Sequence, residues 1–135
     1  MLALVEEAYE QGSSPGDRIE RALEAFFAFW AEHPEEACFC IDEVLAGGPA
    51  ARARRAETIQ RLASLLEGAL GELRGLREPD PLAARAFVGG VYELLQAPGD
   101  DDDLARSSAL ARRIVAWERR SPAAGRRRAA RTSAA

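Results

Sequence analysis

The segment from Asp17 to Glu43, DRIERALEAFFAFWAEHPEEACFCIDE, constrains the fold more than any other. Ile19, Leu23, Phe26, Trp30 and His33 recur at steps of three and four, which places them on one face of a helix. Phe27 and Phe29 widen that face beyond a narrow stripe. Pro34 predicts the helix end, because the residue before a proline avoids the α conformation. A second helix is expected to restart at Glu35 and Glu36, whose charges suit a helix N-terminus. It would carry Ala37, Cys38, Ile41, Val44 and Leu45 on one side and Phe39, Asp42 and Glu43 on the other. Phe26, Phe27, Phe29, Phe39, Trp30, both cysteines and the only histidine fall inside this stretch. No other part of the chain is as well equipped to line a cavity.

The remaining segments are also helical in period. Leu2, Val5 and Tyr9 stand at i, i+3 and i+7 in a helix over 1–11 that opens without a capping residue. The run from Gly12 to Gly16 reads as a turn, with Asp17 as cap or first-turn acid of the aromatic helix. Gly47, Gly48 and Pro49 are expected to close the second helix of the opening stretch. A long helix over 50–75 keeps Ile59, Leu62, Ala63, Leu66, Leu70 and Leu73 on one face, with Arg52, Arg54, Arg55 and Arg61 mostly off it. Asp80 and Pro81 are suited to start the next helix, over 81–97. That helix has a core face of Ala84, Phe87, Val88, Val91, Leu94 and Leu95. Beside it runs a small-residue face of Ala83, Ala86, Gly89 and Gly90. Adjacent glycines inside a helix each cost roughly 1 kcal/mol against alanine, so a close approach by another helix would explain them. A last helix over 104–120 carries Leu104, Leu110, Ala111, Ile114, Val115 and Trp117. No strand pattern and no internal repeat are present.

At 135 residues the chain fits one domain, residues 1–120, with a tail over 121–135 that is expected to be disordered. Its 47% hydrophobic and 30% charged residues are those of a soluble globular protein. The net charge of −4 points to no particular partner. Every basic residue is arginine. Cys38 and Cys40 would point about 200° apart on a helix, so reduced thiols and a cytoplasmic location are expected. No signal peptide or membrane span is recognisable. A structural metal site needs four ligands, and His33, Cys38, Cys40, Asp42 and Glu43 lack the paired spacings such sites use. No nucleophile elbow or phosphate loop occurs, so neither an enzyme nor a cofactor is expected. The Arg52–Arg55 cluster and the tail arginines lack the interleaved aromatics and motif of a nucleic-acid reader.

Taken together, these residues resemble the C-terminal ligand-binding and dimerisation domain of TetR-type transcriptional repressors. The resemblance covers about 1–120. It rests on the aromatic helix closing in AEHP, the short helix EEACFCIDEVLAGGP, the long Arg-flanked helix, and the small-residue helix DPLAARAFVGGVYELL. It implies an all-α fold of six helices and a homodimer built as a four-helix bundle from the last two helices of each subunit. It also implies that DNA is read only through a helix-turn-helix domain preceding LALVEEAYE, which this chain lacks.

The expected function is therefore effector sensing and dimerisation. A small apolar or amphipathic ligand would be lined by Phe26, Trp30, Cys38, Phe39, Leu62, Leu66, Val88 and Tyr92, with His33 or Glu43 as its polar contact. The expected dimer interface is Ala83, Ala86, Gly89, Gly90, Leu110, Ile114 and Trp117. The rival reading is a ligand-free helical dimerisation module whose aromatics fill the core. A cavity of at least about 300 Å³ would favour the sensor.

Overall fold

The computed structural model describes residues 1–35, 47–96 and 107–120. Among them are five helices and no strand: α1 (Leu2–Glu10), α2 (Pro15–Glu32), α3 (Gly48–Arg74), α4 (Pro81–Gln96) and α5 (Ser107–Arg120). Pro34 and Glu35 are helical, and the rest of the segment expected to form a helix from Glu35 and Glu36, with Cys38, Phe39 and Glu43, lies outside the described residues, as does the tail. None of the five helices is long and apolar enough to cross a membrane.

The aromatic helix is the hub. Its partners are α1, α3 and α5, while α4 packs chiefly on α3. Ile19, Ala22, Leu23, Phe26, Phe27 and Trp30 are all buried, so α2 is apolar over a broad arc rather than a stripe. A helix of this kind must be covered on several sides. Its start is set by local chemistry. Ser14 is the cap, its Oγ accepting from the Asp17 N–H at 3.3 Å, and Pro15 occupies the first helical position. The helix thus begins two residues earlier than the sequence suggests. Asp17 is a first-turn acid whose carboxylate accepts from the Ser13 N–H (2.8 Å) and Oγ (3.0 Å). Those two donors hold its carboxyl below the ordinary value of 3.8, and the neighbouring Arg21 adds to this.

Two glycines lie where α2 meets its neighbours. A Cβ on Gly12 would stand 2.5 Å from the Arg18 Cα, so only glycine fits the turn between α1 and α2. A Cβ on Gly16 would meet only the end of the flexible Arg119 side chain, which marks where the start of α2 approaches the end of α5. At the other end α2 stops at Glu32, and His33 takes the non-helical backbone (φ −128°, ψ 60°) that Pro34 demands.

Gly48 and Pro49 open α3, with Pro49 supplying a pre-set φ in the first turn, and the end of the helix expected before them lies outside the described residues. Gly75, at φ 65°, ends α3 in the left-handed region, and the Leu76 N–H reaches back to the Gly71 carbonyl at 2.9 Å. Asp80 caps α4 as its residue type suggests, its Oδ1 accepting from the Leu82 (3.0 Å) and Ala83 (3.2 Å) N–H groups.

One continuous core results. It joins Val5 of α1, the apolar face of α2, Leu62 to Leu70 of α3, Ala84 to Tyr92 of α4, and Ala111 and Val115 of α5. Leu94, expected in that core, is instead 44% exposed. It lies on the side of α4 that faces α5, and those two helices scarcely touch each other.

Candidate functional site

Of the residues expected to line a ligand, Phe26, Trp30, Leu62, Leu66, Val88 and Tyr92 fall in one buried cluster. Phe26 is its centre. Its ring stands edge-on to Trp30 (6.1 Å between centroids), to Tyr92 of α4 (5.3 Å) and to Phe27 (5.6 Å). Leu62 and Leu66 of α3 and Val88 of α4 are buried in the same core. Behind Phe26 lies a small, partly open void of about 20 Å³ that α1, α2, α3 and α4 all line, through Val5, Phe26, Leu62, Leu66, Val88 and Val91 among others. A space this small is of the order of one water molecule.

His33 sits at the edge of this cluster. Its ring stacks on Phe29 at 4.3 Å and 18°. Its Nδ1 lies 2.8 Å from the Phe29 carbonyl oxygen, which can only accept, so Nδ1 carries the proton. The imidazole thereby satisfies one of the carbonyls left unpaired at the C-terminus of α2. Cys38, Phe39 and Glu43 are outside the described residues.

Arg55 is the cluster member that the sequence conceals. Its guanidinium carbon lies 5.4 Å from the centre of the Tyr92 ring, in cation–π contact. Its signal was positional. Arg55, Ile59, Leu62 and Leu66 step by four, three and four, so the apolar stripe of α3 continues back onto the arginine. Two donors here are sealed from solvent without a hydrogen-bond partner among the described residues: the Trp30 indole Nε1 and the Arg55 Nε. An unpaired buried donor costs about 1–3 kcal/mol, and folded proteins retain few of them.

The second candidate surface is the gap between α4 and α5, an open groove of about 900 Å³. Ala83, Ala86, Gly90, Leu110, Ile114 and Trp117, all expected at the dimer interface, line it. Gly89, the remaining member of that set, is half-buried and does not line it. Leu94 and Phe87 complete its apolar wall. Trp117 is 59% exposed there, which is unusual for the largest apolar side chain. A Cβ on Gly89 or Gly90 would meet nothing within 4 Å among the described residues, so none of those requires the two glycines to be small.

Arg74 and Glu118 also line the groove, and sequence reading missed both. The Glu118 side chain is 1% exposed and accepts twice from one guanidinium: Arg74 Nε to Oε2 at 2.8 Å and Nη2 to Oε1 at 2.9 Å. The bidentate bond to Glu118 raises the Arg74 pKa above its ordinary value, so the guanidinium stays charged. Each residue extends an apolar stripe by one turn, Leu66–Leu70–Arg74 on α3 and Ala111–Val115–Glu118 on α5. The remaining ion pairs among the described residues, Arg21–Asp17, Arg61–Glu6 and Arg112–Glu20, are far more exposed.

Comparison with known proteins finds no matching family model, no matching curated protein and no matching solved structure.

Proposed function

We propose that this chain is the effector-sensing and dimerisation half of a TetR-like transcriptional regulator, binding a small apolar or amphipathic molecule and pairing with a second copy of itself. The observation that carries the reading is the groove between α4 and α5. It is largely apolar, it exposes Trp117 and Leu94, and its lining includes Gly90, where a Cβ would meet nothing within 4 Å among the described residues. A second copy whose α4 and α5 lie in that groove would complete a four-helix bundle and remove the apolar surface from water.

The sensing role draws on the aromatic cluster. The four helices that meet at the void behind Phe26 include α1, the helix that would lead to a DNA-reading domain in a longer relative. A ligand that binds better to one arrangement of these helices shifts the population toward it, and α1 moves with them. DNA is contacted only through that further domain, and the site of action is the cytoplasm.

A second reading, a dimerisation module without a ligand, is favoured by the void itself. At about 20 Å³ it is far below the ~300 Å³ of ordinary ligand pockets. The two readings share the dimer and differ in whether a small molecule stabilises the fold.

Light scattering tests the shared part. The wild type should run at twice the 14.6 kDa chain mass at micromolar concentration. Gly90→Arg should run as a folded monomer, because it places a charge in the middle of the proposed contact. A monomeric wild type would overturn the reading. Thermal scans with hydrophobic compounds test the rest, since a molecule that binds only the folded form raises the melting temperature.

A further inference from the structure

We infer that the effector is a monocarboxylate with an apolar body, held by the Trp30 indole N–H and the Arg55 guanidinium at the Phe26–Tyr92 aromatic cluster. The inference rests on the sensing role proposed above and narrows it to one chemical class.

Both donors border a single group of side chains. Trp30 touches Phe26, Phe26 touches Tyr92, and Arg55 lies over Tyr92. Trp30 is 5% exposed, and its Nε1, like the Arg55 Nε, is sealed without an acceptor among the described residues. An indole nitrogen can only donate, and a guanidinium only donates and stays charged. The complementary ligand group must therefore accept hydrogen bonds and carry negative charge. Arg55 has no ion pair with any described acidic residue that would supply this from within the chain.

The surroundings specify the rest of the molecule. The rings of Phe26 and Tyr92 and the side chains of Leu62, Leu66 and Val88 offer an aliphatic or flat aromatic body apolar contact. Phe26 both lines the void and touches Trp30 and Tyr92, so its ring is shared between the void and the residues that carry or flank the donors. A phosphate ester or a cation does not suit this site: the first would bring more charge than one guanidinium balances, the second would repel it.

Calorimetric titration with decanoate and 2-naphthoate, each beside its alcohol (decanol, 2-naphthol), tests the inference. Each acid should bind more tightly than its alcohol by about tenfold or more, the discrimination expected when one charge-assisted hydrogen bond is gained. Arg55→Gln and Trp30→Phe, both mild in volume, should each bring that ratio toward one while circular dichroism and dimer mass stay as in the wild type. Alcohols that bind as well as their acids would overturn carboxylate recognition and leave the sensing role standing. A ratio that survives both substitutions would also overturn it. If neither acids nor alcohols bind, the sensing role falls as well, and the dimer is judged separately by its mass.

Discussion

Two apolar surfaces of this molecule have opposite fates. The face of α2 is matched on several sides within the chain: Phe27 and Ile19 are completely buried, and the void left beside Phe26 is only about 20 Å³. The face shared by α4 and α5 is also apolar, yet it stays open across some 900 Å³, with Trp117 more than half exposed. Apolar character alone therefore does not say what a helix face is for. What separates the two faces is how much of each the described residues cover. The α2 face is filled by large, interlocked side chains. The α4 and α5 face combines large exposed side chains with alanines and Gly90, and the Arg74–Glu118 ion pair is part of its lining.

The contrast can be broken most severely from the closed side. Phe27→Ala should lower unfolding free energy by about 3–5 kcal/mol in urea denaturation, as expected for removing a fully buried aromatic ring. A loss below about 1 kcal/mol would mean the α2 face is less well matched than its burial indicates. Arg74→Leu should cost a similar amount, about 3–5 kcal/mol, because it strands the Glu118 carboxylate in a site with 1% exposure. The double variant Arg74→Leu, Glu118→Leu should recover much of that loss, since no buried charge then lacks a partner. Equal losses in the single and double variants would show that packing, not charge, is what Arg74 supplies.

On the open side the expectation is reversed. Trp117→Ser should leave the unfolding midpoint at low protein concentration within about 0.5 kcal/mol of the wild type, like other exposed substitutions. It should nonetheless weaken self-association by at least about tenfold in sedimentation, because an exposed tryptophan is a typical binding hot spot. Unchanged association would place the interface elsewhere.

The smallest effect concerns the start of α2. Asp17 has a folded pKa held below its unfolded value by the Ser13 donors. Its contribution is present above the unfolded pKa and is lost as pH falls through the folded one. Asp17→Asn should therefore flatten the acid side of the stability-versus-pH curve and leave the variant slightly less stable at neutral pH. A curve that stays parallel to the wild type below pH ~4 would show that the Ser13 contacts do not matter to folding.

Much of this architecture was legible in the amino-acid order. The period of Ile19, Leu23, Phe26 and Trp30, the stop at Pro34, the glycine closing α3 at 75 and the Asp80 cap are local effects. Each acts within about one turn, so each is written in neighbouring residues. The small residues of α4 likewise announced a surface distinct from its core face. What only the tertiary structure decided depends on residues distant in sequence. The buried Arg74–Glu118 pair spans 44 positions, and neither member differs from a surface charge until α3 and α5 are brought together. Arg55 reads as a solvated arginine until Tyr92 of α4 arrives beneath it. Leu94 fits a core stripe by period, yet it faces the groove because α4 and α5 stand apart. Periodicity fixes which residues share a face. Whether that face is filled, left open or given a charge is set by which other face the fold places opposite it.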